Sequence, residues 1–330
     1  MSVAIVRLPS LRDNLDRIEF LSHVFAGRQS RERTGQLFLS KGSSMISRRM
    51  LLKSFAVGAA AAAVPSSLLA QKAEAIEALT LKGDIRQSVS KWCFGDIPLD
   101  EFCKICKKLG MVGVDLIGEN DWDVVHKHDL IVTMSNGPGG IEKGFNRLEH
   151  HDKLIEGFER MIPKAAEKKV PNIICFSGNR EGLSDEEGLE NCVVGLKRLM
   201  PTAEKHGVTI MIELLNSFGH KDYQCDHTEW AAELARKVGS EHFKVLYDIF
   251  HMQIMEGNLI ETIKRNKDVI GHYHTGGVPG RRDLDDKQEI YYPAVMQAIK
   301  DTGYKGFMAH EFIPKNGIQS LREAVKLCDV

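Results

Sequence analysis

Residues 209–248 decide the fold: Thr209-Ile210-Met211-Ile212-Glu213, then the stretch 228–238, then Lys244-Val245-Leu246-Tyr247-Asp248. The outer two are short β-branched and apolar runs of strand length. Between them Trp230, Ala231, Leu234, Ala235 and Val238 recur at helical spacing, so the segment predicts strand, crossover helix and parallel strand. The alternation extends in both directions. Strands are expected at 85–89, 112–117, 130–134, 172–176, 209–214, 244–247, 270–274 and 306–311, and helices at 153–169, 187–206, 228–238, 259–266, 293–302 and 318–327. Eight strands with intervening helices predict one (β/α)8 barrel of the α/β class, a TIM barrel, over residues 82–330. No Gly-x-Gly-x-x-Gly follows the first strand, which disfavours an open dinucleotide-binding sheet.

Composition fits that reading. The chain has 330 residues, 43% of them hydrophobic, and a net charge of -1, which is neither a disordered nor a fibrous composition. The charge is uneven: residues 1–70 hold ten basic and four acidic side chains, leaving 34 basic against 41 acidic beyond them. An acidic body argues against nucleic acid as a partner, because that affinity comes from clustered Lys and Arg. Seven cysteines in a chain this long do not make a disulfide scaffold. Cys103 and Cys106 form a CxxC, but Phe102, Ile105 and Leu109 around them mark an apolar helix face, and no second ligand pair exists to complete a zinc site.

The basic excess belongs to a leader. Ser47-Arg48-Arg49-Met50-Leu51-Leu52-Lys53 precedes an alanine-rich apolar run at 55–64 and small residues near Ala70 and Ala75, which resembles a twin-arginine export signal. The run is shorter than the ~20 residues that span a bilayer, so no stable membrane anchor is expected. Residues 45–75 are read as the signal, 1–44 as a disordered or untranslated extension before a start at Met45, and the protein as periplasmic or otherwise exported.

Polar residues at the ends of apolar runs are the candidates for chemistry, since function gathers at the C-terminal ends of barrel strands. Ile212-Glu213, Tyr247-Asp248, His272-Tyr273-His274 and His310-Glu311 close four successive predicted strands. Each ionisable group follows residues that should be buried, where an isolated charge is costly unless paired or bound to a cation. Three carboxylates and an imidazole make a hard, oxygen-rich set that suits Mn2+ or Mg2+. The alternative for each residue alone is an ordinary strand-end ion pair.

The segments Cys175-Phe176-Ser177-Gly178-Asn179-Arg180, Glu213-Leu214-Leu215-Asn216-Ser217, Tyr247-Asp248-Ile249-Phe250-His251-Met252-Gln253, His272-Tyr273-His274-Thr275-Gly276-Gly277-Val278-Pro279-Gly280-Arg281 and His310-Glu311-Phe312 resemble the hydroxypyruvate isomerase-like branch of the xylose isomerase-like barrels. The likeness covers roughly residues 82–330. It implies one divalent ion held by Glu213, Asp248, His274 and Glu311, with Glu213 and Glu311 as the catalytic acid/base pair. It also implies substrate contact by His251 and Arg281. Glu289 sits in a segment that departs from the family pattern, with Gln288 for Gly and Tyr291 for Asn. His150 and His151 read as a helix cap or surface pair. Trp92, Phe94, Trp122, Phe145 and Phe176 are candidates for a pocket wall or the core.

These residues fit movement of a carbonyl along a small hydroxy-carbonyl or sugar substrate, which needs a base, an acid and a cation at the enediolate oxygens. A ketose 3-epimerase or other sugar epimerase would share the same site. An exported, non-catalytic sugar- or metal-binding protein is the third reading. An abasic-site endonuclease of the same superfamily needs extra histidines on strands two and three, which read Val114-Asp115-Leu116-Ile117 and Val132-Thr133-Met134-Ser135. The oligomeric state is left open, with a homo-oligomer compatible.

Overall fold

The computed structural model describes residues 76–330. The predicted signal and the extension before it lie outside the described residues. Eight strands alternate with helices: β1 Arg86–Val89, β2 Gly113–Val114, β3 Ile131–Val132, β4 Asn172–Cys175, β5 Thr209–Glu213, β6 Phe243–Asp248, β7 Ile270–Thr275 and β8 Phe307–His310. The α-helices are α1 Leu99–Lys108, α2 Trp122–His126, α3 Leu148–Glu167, α4 Asp185–His206, α5 Thr228–Val238, α6 Ile249–Met255, α7 Leu259–Arg265, α8 Tyr292–Asp301 and α9 Ile318–Leu327.

All eight predicted strands form, and α5 and α9 have the predicted bounds. Sequence reasoning missed α6, seven residues that begin directly after β6. Asp248 is at once the last residue of β6 and the N-cap of α6, its Oδ1 accepting from the His251 amide at 3.2 Å. Helix α4 starts two residues earlier than read because Ser184 caps it, accepting from the Glu187 amide at 3.0 Å. It stops at Gly207, whose φ of 67° lies in the left-handed region that suits glycine.

The strands are parallel, but they do not share one continuous ladder. Six pair in the order β1-β8-β7-β6-β5-β4, and β2 pairs with β3 separately. Single parallel bridges join the two sheets, Ser90 with Asp115 and Ser135 with Ile173. The reason is local. Leu116, directly after Asp115, has a φ of 53°, which a β-ladder does not accommodate, so β2 ends after two residues.

The apolar side chains sort into two groups. The larger packs helices against strands and includes Ile210, Ile212, Val245, Tyr247 and Tyr273. The smaller joins Met134, Ile174, Met211 and Leu246 from β4, β5, β6 and the segment after β3. This is a side-chain layer on the face of the strands opposite the helices, as a TIM-barrel fold requires. Cys103 and Cys106 are fully buried on α1, in agreement with the core reading of the CxxC.

Candidate metal centre and active site

Strand alternation decides which side chains meet. Successive residues of a strand point to opposite faces, so Glu213 shares the interior face with Met211, Asp248 with Leu246, and His274 with His272. Each is the last or nearly the last residue of its strand, which lifts it above the apolar layer. Glu311 directly follows β8. The four predicted ligands converge: Glu213, Asp248, His274 and Glu311 are all buried, and each offers one donor atom within 4.8 Å of the others.

His274 is the centre of the cluster. Its Nδ1 lies 2.7 Å from Glu311 Oε2, 3.4 Å from Glu213 Oε1 and 3.9 Å from Asp248 Oδ2. Yet this nitrogen is buried and makes no hydrogen bond. On the far side of the ring, Nε2 lies 2.9 Å from Asp115 Oδ2 with hydrogen-bond geometry. Three carboxylate oxygens facing a buried imidazole nitrogen that makes no hydrogen bond form a donor set that fits one hard divalent cation.

The two glutamates differ in their surroundings. Burial pushes the Glu213 carboxyl up, to about 7, with Glu311 nearby adding to the rise and His274 opposing it. Burial also acts on Glu311, but the Arg281 guanidinium and His274 outweigh it and hold this carboxyl well below the usual carboxylate range. Glu311 further accepts from Trp92 Nε1 at 2.5 Å. Arg281 Nη2 contacts both Glu311 and Asp248, the latter at 2.6 Å. Burial lowers the pKa of His274 as well, but the carboxylates of Glu311, Asp115 and Glu213 around it overcome burial, and the net shift is well upward; an ion taken up at Nδ1 would displace the proton there.

The predicted substrate contacts, His251 and Arg281, adjoin the cluster. His251 Nδ1 accepts from the Asn216 amide at 2.9 Å. Burial keeps the ring neutral, with its pKa lowered to about 3. His251 Nε2 lies 2.8 Å from Arg281 Nη1. Arg281 itself lies over the Phe250 ring, 4.9 Å from its centroid.

A cavity of about 750 Å³ opens above these groups, and its walls include Trp92, Ile141, Phe176, Phe218, Ile254 and Leu215. Of the aromatic candidates, Trp92 and Phe176 line it, whereas Phe94, Trp122 and Phe145 are core residues. His151 is neither cap nor surface: it is buried, with Nε2 2.8 Å from the Phe145 carbonyl. Reading by strand ends did not single out Trp92, Asn216 or Asp115. Only Asp115 carried a signal, a carboxylate at the close of a short apolar run.

The model of the xylose isomerase-like TIM barrel family matches residues 122–328. The chain belongs to that family. Among its relatives this family member is 28% identical to the hydroxypyruvate isomerase of Escherichia coli strain K12 over 218 residues, 62% of this chain and 84% of that one. It is 27% identical to the 2-oxo-tetronate isomerase of Pectobacterium atrosepticum over 234 residues, 67% and 89% of the two chains. Among solved structures, the family 2 AP endonuclease of Brucella melitensis superposes with a TM-score of 0.66 at 22% identity, covering 72% of this chain and 96% of that one. At that identity the last likeness speaks for the fold alone.

Proposed function

We propose that this chain is an isomerase of the hydroxypyruvate isomerase type, dependent on one divalent ion, Mn2+ or Mg2+. It would move a carbonyl in a small hydroxy-carbonyl substrate through an enediolate. The observation that carries the reading is the meeting of four buried donors from β5, β6, β7 and the end of β8 at the floor of an open cavity, with two glutamates in opposed electrostatic surroundings. Glu213, Asp248, His274 and Glu311 would hold the ion. When bound, it would polarise the carbonyl and stabilise charge on the neighbouring oxygens.

One glutamate takes the proton beside the carbonyl and the other returns one to the adjacent carbon. Carboxylates whose surroundings push their pKa values apart are suited to that division. His251 and Arg281 both line the cavity beside the cluster, and a substrate carboxylate or hydroxyl oxygen would be an acceptor for the Arg281 guanidinium. The names of the Escherichia coli and Pectobacterium relatives support the reaction class. The closed eight-stranded barrel belongs to the same reading, supported by the two bridges that join the sheets.

The test is incubation of the purified chain with hydroxypyruvate and with a panel of ketoses in D2O. Deuterium should enter the product at the carbon that gains the proton, stop on chelation with EDTA and resume with Mn2+. Absence of exchange with every substrate under saturating Mn2+ would leave a binding protein. Epimerisation of a ketose is the second reading, favoured by a cavity that is large for a three-carbon acid. An inverted carbinol centre in the product, rather than a moved carbonyl, would select it.

A further inference from the structure

We propose that Asp115 is a positioning residue for the metal centre. By accepting the Nε2 proton of His274 it would leave Nδ1, which faces Glu213, Asp248 and Glu311, as the nitrogen that takes the ion. The proposal rests on the reading of those four residues as the ligand set. Asp115 directly follows β2 and is fully buried. Its Oδ2 lies 2.9 Å from His274 Nε2. Its Oδ1 accepts from Thr133 Oγ1 at 2.5 Å. Thr133 has one hydroxyl proton, already given to the carboxylate, so at 3.0 Å its oxygen accepts from Ser88 Oγ. The carboxylate is thereby fixed from β1, β2 and the residue after β3 and aimed at β7.

The need for such a group follows from imidazole chemistry. A neutral ring offers a metal one lone pair only when the other nitrogen carries the proton, and the partner of that proton chooses the tautomer. In His274 both nitrogens face carboxylates. Glu311 Oε2 lies 2.7 Å from Nδ1 but out of hydrogen-bond alignment, whereas the bond from Nε2 to Asp115 is aligned. Without Asp115, Glu311 would draw the proton to the nitrogen that must bind the ion. His272 has a lesser share in Asp115, with Nε2 at 3.2 Å from Oδ1 and neither ring nitrogen hydrogen-bonded.

The experiment compares the full chain with Asp115→Asn and Thr133→Val. An amide at position 115 introduces an N–H where only acceptors stood, and valine frees the carboxylate to turn. Mn2+ affinity and stoichiometry are measured by titration, and His274 by long-range proton–nitrogen spectra of the 15N-histidine protein loaded with diamagnetic Mg2+. We expect one Mn2+ per wild-type chain and His274 protonated at Nε2. Affinity should weaken ~10- to 100-fold in Asp115→Asn, as loss of an outer partner typically does, and several-fold in Thr133→Val, whose shape is kept. A purely structural role would shift the thermal midpoint of the metal-free variants while leaving affinity and tautomer unchanged, and that result overturns the proposal. Two ions per wild-type chain, one of them lost in Asp115→Asn, would also overturn it, making Asp115, His272 and His274 a second ligand group. A wild-type chain that bound no Mn2+ would overturn the ligand reading and this proposal together. If Asp115→Asn does not fold, Thr133→Val and the wild-type tautomer decide.

Discussion

Glu213 and Glu311 are read as both ligands and proton carriers, whereas Asp248 and His274 are read as ligands only. Glutamine keeps the size of glutamate and one coordinating oxygen but cannot cycle a proton near neutral pH. Turnover should therefore fall ~10²- to 10⁴-fold in Glu213→Gln and in Glu311→Gln even at saturating Mn2+, the range of a general acid or base. Deuterium exchange should fall with it. His274→Gln should instead bind Mn2+ more weakly and regain substantial activity at high Mn2+. Exchange at the wild-type rate in both glutamate variants would exclude the proposed roles. The neighbouring Trp92 was legible in the sequence only as an aromatic. Its bond to Glu311 joins residues 219 positions apart, and no local pattern announces such a pairing.

Elements rather than single residues decide how far each candidate projects. Asp248 ends β6 and caps α6, so the strand-to-helix junction fixes its carboxylate and delivers His251 three residues on, one turn into the helix. Sequence reasoning found the strand and missed the helix because α6 follows β6 without an intervening turn and its largely apolar residues, Ile249-Phe250-His251-Met252-Gln253-Ile254-Met255, continue the apolar run of the strand. Helix ends were easier to read where a residue type has a strict conformational meaning. Gly207 closes α4 at φ 67°, and nothing would obstruct an added Cβ. Gly207→Ala should therefore cost ~1 to 2 kcal/mol through the left-handed backbone alone, read by urea unfolding at 25 °C. Mn2+ affinity should be unchanged, since the helix end is remote from the cluster. A stability equal to wild type would contradict the strain argument.

At the scale of the whole molecule, pH and location are the testable properties. His310 is fully buried, hydrogen-bonded between Gln87 and Thr275, and burial lowers its pKa to about 3. The unfolded chain titrates near 6.5, so between those values the unfolded state binds the extra proton and stability rises with pH. Lowering the pH from 7 to 5 should cost about 2 kcal/mol through this residue. His310→Gln should lose that part of the acid sensitivity, measured as the difference in unfolding free energy at the two pH values. An unchanged difference would show that His310 is not its source. Export through the twin-arginine route is proposed from Arg48 and Arg49 with the apolar run behind them. Changing both to Lys should leave full-length protein in the cytoplasm, and continued export with cleavage near Ala70 would point to another route.

The sequence by itself determined the order of strands and helices, because burial on a parallel sheet forces continuous apolar runs and burial on a helix forces a 3.6-residue period. Charges at the ends of buried runs marked the four strand ends, since such a charge has few stable uses, and the family resemblance picked out Glu213, Asp248, His274 and Glu311 among them. Only the tertiary structure decided that Asp115 faces His274, 159 residues away, that Leu116 breaks β2, and that His151 is buried. Contacts across the interior depend on strand register and on single backbone angles. Neither leaves a periodic trace in the residues that carry them.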